Sequence, residues 1–354
     1  MKILSVIGAR PQFIKAAAVS NILRREHTEI LVHTGQHYDE NMSSVFFDEL
    51  QIPKPNYNLG IGSGGHGLQT GNMLIKLEEI YVDEKPDLVL VYGDTNSTLA
   101  GALCASKLLI PVAHVEAGLR SFNKKMPEEQ NRILTDHISS LLFVPTDTAL
   151  ENLRNEGIDN NVFCVGDVMY DAVKNFTYLA KDKSHIVKEL NLQENRYLLA
   201  TIHRAENTND IQRLRNIIVG LNKSEKSIVL PLHPRTKKYI ESYGINIGSN
   251  VKIIDPVGYL DMISLEMNAQ KIVTDSGGVQ KEAYFMGKPC ITLRDETEWI
   301  ETVNIGWNVL VGANTNDIIN ALDKFNPNVN RIPVFGDGTA ANKILDIINR
   351  FSIS

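Results

Sequence analysis

The chain reads as an α/β protein of two Rossmann-like, doubly wound domains that face each other across a cleft. Three observations predict this. Apolar, β-branched runs alternate with helix-length amphipathic segments from end to end, the pattern of repeated βαβ units. At 354 residues the chain is longer than one ordinary hydrophobic core supports, so two domains are expected. Nearly every apolar run ends in polar, chemically useful residues, which places them together at the carboxyl edge of a parallel sheet, where α/β proteins bind ligands.

In the first half, strands are expected at Lys2–Ile7, Ile30–His33, Leu88–Tyr92, Val112–Val115, Leu141–Val144 and Val162–Val165. Helices are expected at Pro11–Arg25, Leu68–Tyr81, Ser97–Leu109 and Thr146–Glu156. Pro11 suits a first helical turn, where its missing N–H costs nothing. The glycine-rich Gly60–Gly67 reads as a mobile loop. The second half repeats the logic with strands at Tyr197–Ile202, Ser227–Leu232, Val251–Ile254, Lys271–Thr274 and Cys290–Leu293. Strand signals lapse into a polar helix near Gly166–Tyr178, which sets the domains at 1–168 and 169–338. A last helix over roughly Thr339–Phe351 follows the Gly336-Asp337-Gly338 turn, and the segment 339–354 is free to pack back on the first domain.

Composition narrows the function. Hydrophobic residues at 43% and charged ones at 22% describe a soluble globular protein. A net charge of −6 argues against a nucleic-acid binder, but not against an anionic small ligand held by local arginines and helix N-termini. The apolar opening stops at Gly8-Ala9-Arg10-Pro11, too short for a signal peptide, and no apolar stretch is long enough to span a bilayer. Cys104, Cys164 and Cys290 are scattered in apolar surroundings and read as buried thiols of a cytoplasmic protein, with no metal-ligand spacing.

The strand ends carry the chemistry. After the first comes Gly8-Ala9-Arg10-Pro11-Gln12-Phe13-Ile14-Lys15, whose Arg10 and Lys15 are placed to meet phosphate near a helix N-terminus. It is not the glycine pattern of dinucleotide enzymes, so a nicotinamide cofactor gains no support. Asp94 and Glu116 arrive at the ends of neighbouring strands. Asp94 stands where a helix cap is also expected, whereas Glu116 sits in an apolar setting that would raise its pKa toward acid–base use. Glu128 and Glu129 follow at a helix start. His203 and His233 end two strands of the second half, each beside an arginine. Ser276-Gly277-Gly278 opens a helix with free N–H groups for an anion, and Glu282 lies one turn on, placed for ribose hydroxyls. A ligand with a diphosphate in one half and a sugar-like group near the acids would use all of these.

These segments together resemble the non-hydrolysing UDP-N-acetylglucosamine 2-epimerase family. The match includes Gly8–Lys15, Thr34-Gly35-Gln36-His37, Tyr92–Thr95, His114–Arg120, Pro127–Glu129, His203-Arg204 and Asp275–Gln280. The resemblance implies a glycosyltransferase-B-like pair of domains, usually a homodimer, acting on a UDP-sugar without metal or nicotinamide. It implies elimination of UDP to a 2-acetamidoglucal and re-addition, turning UDP-GlcNAc into UDP-ManNAc. Asp94, Glu116 and Glu128 fall at the acid–base positions and His203 near the diphosphate. Arg10, Lys15, Arg132, His233, Ser276, Gly277, Gly278 and Glu282 fall at substrate- and nucleotide-binding positions.

This chain departs from many members at Ala205, at Glu296-Thr297-Glu298-Trp299 and at Leu68-Gln69, where arginines are common. The last departure speaks against allosteric activation by a second UDP-sugar. Thr297–Trp299 and Gly166–Met169 look closer to a branch acting on UDP-2,3-diacetamido-2,3-dideoxyglucuronate. Two readings of other classes stay open: a UDP-sugar glycosyltransferase and a non-catalytic UDP-sugar binding module.

Overall fold

The computed structural model describes residues 1–36 and 52–351; His37, quoted above, lies outside them, as does the side chain of Arg10. The chain forms two compact units, Met1–Lys174 with Pro333–Ser354, and Asn175–Ile332.

Among the described residues, unit 1 carries a seven-stranded parallel sheet. Its strands are β1 (Lys2–Ile7), β2 (Thr28–His33), β3 (Tyr57–Asn58), β4 (Leu88–Tyr92), β5 (Val112–Val115), β6 (Leu141–Val144) and β7 (Val162–Cys164). Their order is β3-β2-β1-β4-β5-β6-β7, so the winding reverses between β1 and β4, which pair from Ile3 with Leu88 to Val6 with Val91. Every residue of β4 is buried, as expected of a central parallel strand covered on both faces. One face packs Leu4, Val6, Val89 and Val91 against Met73, Leu77 and Tyr81 of the helix His66–Glu84.

Among the described residues, unit 2 repeats the plan with six parallel strands. These are β8 (Tyr197–Thr201), β9 (Ser227–Pro231), β10 (Val251–Ile254), β11 (Lys271–Thr274), β12 (Cys290–Thr292) and β13 (Asn308–Leu310). The order β10-β9-β8-β11-β12-β13 reverses between β8 and β11. In an open α/β sheet a crevice opens at such a reversal, beyond the carboxyl ends of the strands. Each unit therefore offers one.

The expected strands agree with these to within a residue or two. β3 and β13, two and three residues long, were not expected because so short a run shows no periodicity. The helix following Gly60–Gly67 begins inside that segment, at His66. The chain passes between units inside the helix Val168–Lys183, so the division falls after Lys174 and after Ile332 rather than at 168 and 338. The start of that helix is held in unit 1: Val168, Met169, Ala172 and Val173 are buried, and Asp171 accepts the N–H groups of Ala340 and Ala341 at 3.1 and 2.9 Å. The last helix, Ala340–Arg350, buries Ile344, Leu345 and Ile348 and packs on the helix Arg10–Leu23 of the same unit. Gly166 and Gly336, both at positive φ, let two backbone segments meet here: a Cβ on Gly166 would stand 2.9 Å from the Phe335 carbonyl. Cys104 and Cys290 are buried thiols, but Cys164 is exposed, because its strand is the sheet edge. No helix of the described residues is long and apolar enough to cross a membrane.

Candidate active site

In unit 1 the candidate site residues stand at the ends of β1, β4 and β5. β4 runs into Gly93 at φ 64°, then Asp94. Thr95, not Asp94, is the N-cap of the helix Asn96–Lys107, accepting the Thr98 N–H at 3.4 Å. The Asp94 carboxylate is thus not spent on capping and meets the Arg132 guanidinium. Asn131, from the same helix as Arg132, donates to the Asp94 carbonyl at 3.0 Å. Burial raises the Asp94 carboxyl above the ordinary carboxylate range; the Glu116 charge adds to this, and the Arg132 and Lys15 cations oppose it.

Glu116 follows β5 with φ 71°, a left-handed backbone that is uncommon for a non-glycine residue and costs about 1–3 kcal/mol. The turn is pinned because the N–H groups of Glu116 and Ala117 both donate to the Phe143 carbonyl, at 3.0 and 3.1 Å. The Glu116 side chain is buried and ion-paired with Lys15, one helical turn and more into Arg10–Leu23. Lys15, expected at phosphate, is therefore engaged by a carboxylate in this structure. Gly93, at φ 64°, lies close to both: a Cβ there would stand 3.2 Å from Glu116 Oε2 and 3.3 Å from Lys15 Nζ. Two carboxylates and two cations thus share one buried to half-buried cluster.

Glu128 behaves differently. It is exposed in the first turn of the helix Pro127–Ile138, and no hydrogen bond or ion pair joins it to that cluster among the described residues. Its neighbour Glu129 is buried and structural, accepting from Ser121 N and Oγ at 2.9 Å, from Phe122 N at 2.8 Å and from Arg132 at 3.0 Å. Sequence reasoning missed Gln12 and His114. Gln12 is buried, accepts from the N–H groups of Gly8 and Ala9, and donates to the Tyr92 carbonyl, so it ties the β1 loop to the β4 loop. Its place in an N-terminal turn beside glycine was the available signal.

In unit 2, β11 ends in Asp275, fully buried. It accepts the N–H groups of His203 and Arg204 at 3.1 and 3.0 Å, Asn207 Nδ2 at 3.1 Å, and His203 Nδ1 at 3.1 Å. Burial alone would raise its pKa; the His203 hydrogen bond and charge, with the Asn207 and Arg204 donors, outweigh that and hold it below the ordinary range. Asp275 thereby fixes the β8 loop against the β11 loop and leaves the His203 ring half-exposed. Ser276 caps the helix Gly277–Phe285 by accepting the Val279 N–H, and Gly277 and Gly278 follow in its first turn. A helix N-terminus with no side chains in the way is an anion seat. Glu282 is buried and accepts the Tyr259 hydroxyl at 2.6 Å, so it is not a solvated glutamate. His233 is exposed and caps the helix Pro234–Ser242, its Nδ1 accepting the Arg235 N–H at 3.2 Å.

The Glu296–Trp299 segment lies at the same end of unit 2. Trp299 is buried with the Lys281 ammonium 4.0 Å over its ring, and its Nε1 stands 3.5 Å from where a Gly277 Cβ would be. Arg294 holds Glu298 at 2.7 Å; although burial pushes the Glu298 carboxyl up, the Arg294 and Arg204 charges bring it below its ordinary value. Among the described residues no three His, Cys, Asp or Glu side chains converge as a metal site.

Comparison with known proteins agrees with this geometry. The sequence profile of the family described as UDP-N-acetylglucosamine 2-epimerase matches residues 21–349. A Methanococcus maripaludis protein named UDP-N-acetylglucosamine 2-epimerase homolog is 59% identical, over 98% of this chain and 99% of its own. The UDP-2,3-diacetamido-2,3-dideoxy-D-glucuronate 2-epimerase of Pseudomonas aeruginosa is 55% identical, over 88% and 89%. The crystal structure of Methanocaldococcus jannaschii UDP-GlcNAc 2-epimerase in complex with UDP-GlcNAc and UDP superposes with a TM-score of 0.90 at 46% identity, covering 99% of this chain and 100% of the other. A calicheamicin glycosyltransferase, at 14% identity and a TM-score of 0.58, shares the fold alone. Two doubly wound units, paired acids at the ends of β4 and β5, and matches along almost the whole length lead to one conclusion: the chain belongs to the UDP-N-acetylglucosamine 2-epimerase family.

Proposed function

We propose that the protein epimerises a UDP-N-acetylhexosamine at C2, converting UDP-GlcNAc to UDP-ManNAc without net hydrolysis. The observation that carries this is the delivery of Asp94 and Glu116 by adjacent strands into one cluster with Lys15 and Arg132, in a chain of this family. A base takes the C2 proton, the C1–O bond breaks, and UDP leaves with the electron pair as the C1–C2 double bond forms. A proton then returns to the opposite face of C2 while a UDP oxygen re-forms the bond at C1, so atoms and charge balance. Asp94, whose proton burial helps retain, and Glu116, beside an ammonium, are assigned as the acid–base pair, with Glu128 as a third carboxylate. His203, held by Asp275, and the Ser276–Gly278 helix N-terminus are assigned to the diphosphate, with Arg10, Arg132 and His233; Glu282 is assigned to the ribose. The protein is further proposed to act in a reducing cytoplasm, with free thiols at all three cysteines, and as a homodimer.

A second substrate has one supporting observation: identity to the diacetamido-glucuronate enzyme is 55%, near the 59% to the UDP-N-acetylglucosamine 2-epimerase homolog. Proton NMR in deuterated water decides. UDP-ManNAc appearing with deuterium at C2 from UDP-GlcNAc supports the first reading, with Asp94→Asn abolishing the exchange. Exchange only with the diacetamido-glucuronate sugar supports the second. Silence with both overturns C2 epimerisation.

A further inference from the structure

A second set of charged groups is tied to the backbone beside the Asp94–Glu116 cluster. His114, two residues before Glu116 on β5, is fully buried, as is Asp136 from the helix Pro127–Ile138. His114 Nδ1 meets Asp136 Oδ1 at 2.7 Å, and Nε2 donates to the Gly93 carbonyl at 2.7 Å. Each ring nitrogen thus faces an oxygen, so the ring is held from both sides, by a side chain at one nitrogen and by a backbone carbonyl at the other. Asp136 is satisfied in turn by the Gly118 N–H at 3.1 Å and by Arg120 at 2.7 Å, and Arg120 is held outward by Glu156 at 2.6 and 2.8 Å. Burial alone raises the Asp136 carboxyl, but His114 and Arg120 outweigh it and hold it below the ordinary carboxylate range.

The partner that matters is Gly93. Its N–H donates to the Val115 carbonyl at 2.9 Å while its carbonyl accepts from His114, so β5 grips this one residue from both sides. Gly93 is also where a Cβ would touch both Glu116 and Lys15, and the next residue is Asp94. The same Asp136 holds Gly118, two residues past Glu116. The buried His114–Asp136 pair therefore braces the turn bearing Asp94 and the turn bearing Glu116 at once.

We propose that His114, locked by Asp136, is a positioning residue that sets the spacing of Asp94 against Glu116 for the C2 proton transfers. The proposal rests on the assignment of those two acids above. His114 needs no contact with substrate: it acts through the Gly93 peptide. Loss of its grip lets the Asp94 turn relax and take up water, and a displacement of about 1 Å at a reacting group costs about 10²-fold in rate. Burial raises the Asp94 proton affinity, and Arg132, Glu116 and Lys15 adjust it, so a turn that opens to water lowers it.

The test uses the full chain with whichever UDP-sugar the unaltered protein exchanges, and compares His114→Gln, His114→Phe and Asp136→Asn. Folding is checked by circular dichroism and UDP binding by calorimetry; the reaction is followed by deuterium uptake at C2. The expected result is a fall of about 10²-fold in kcat with KM and UDP affinity little changed. Whichever limb of the kcat–pH profile Asp94 sets should also move to lower pH as Asp94 becomes hydrated. Should His114→Phe not fold, His114→Gln and Asp136→Asn decide; if none of the three folds, the pair is a stability element and the assignment is overturned. Folded variants with unaltered kcat, or with kcat reduced but both pH limbs unmoved, overturn it as well. If the unaltered protein exchanges neither sugar, the acid–base assignment itself has failed, and that outcome is distinct from all of these.

Discussion

Gly118 shows how little slack exists around the acids. It has φ 78°, and a Cβ added there would run into the backbone carbonyl of Ala149, which cannot swing aside as a side-chain tip would. Gly118→Ala is expected to destabilise the protein by about 1–3 kcal/mol, from left-handed strain and the clash together. Chemical denaturation measures it, and an unchanged midpoint would mean that the helix Asp147–Asn155 yields. At this scale the sequence was partly legible. Residues at strand ends could be named, because apolar runs mark where β4, β5, β8 and β11 stop. What Asp94 does could not be read: Thr95, Asn96 and Asp94 are all good caps, and only the backbone shows that Thr95 takes the task. The roles of Gln12, Glu129, His114 and Asp136 depend on hydrogen bonds that reach as far as 86 residues along the chain, to which local pattern is blind.

Among elements, β11 carries a charge where a central strand is expected to be apolar. Lys271 is fully buried and donates to the carbonyls of Leu322 and Ala321 at 2.8 and 3.4 Å, closing the end of the helix Thr315–Lys324. A cation at a helix C-terminus meets its unpaired carbonyls and its dipole. Burial, helped by Lys226 and opposed by Asp323, lowers the ammonium from 10.5 to about 8. The folded protein therefore releases this proton near pH 8 while the unfolded chain keeps it to about 10.5. Between those values the unfolded state binds more protons, and stability rises with pH. Stability is expected to rise with pH across that window as the buried ammonium is relieved of its charge, a slope that Lys271→Met lacks. Urea unfolding of both at pH 7.5 and 10 reads the difference; parallel curves would sink the idea. Elements were the most legible level, since parallel strands buried on both faces are continuous apolar runs. The exceptions were the shortest edge strands and the helix Val168–Lys183, which carries no composition break at Lys174 to announce that it serves two units.

For the whole molecule, the two-unit plan was legible from the repeated alternation, and the identity of the family from the strand-end motifs. The surface was not. On the helix His66–Glu84, Leu68, Ile75 and Val82 are 68, 62 and 54% exposed, a stripe at seven-residue spacing opposite the buried Met73, Leu77 and Ile80. A stripe of this kind fits a second helix, which is the contact the proposed homodimer would need. Light scattering is expected to give twice the 39.5 kDa chain mass, and Leu68→Lys with Ile75→Lys to return it to one chain. A single-chain mass for the unaltered protein would remove this stripe as a dimer seam. Another feature concerns time rather than shape. Unit 2 is one unbroken run, Asn175–Ile332, while unit 1 needs both ends of the chain, because Asp171 waits for Ala340 and Ala341, and the helix Arg10–Leu23 waits for Ile344 and Ile348. During synthesis, the part made first is therefore the last to finish. The acid-bearing half stays incomplete until the final helix leaves the ribosome, by which time the inserted half has had its whole length available to fold.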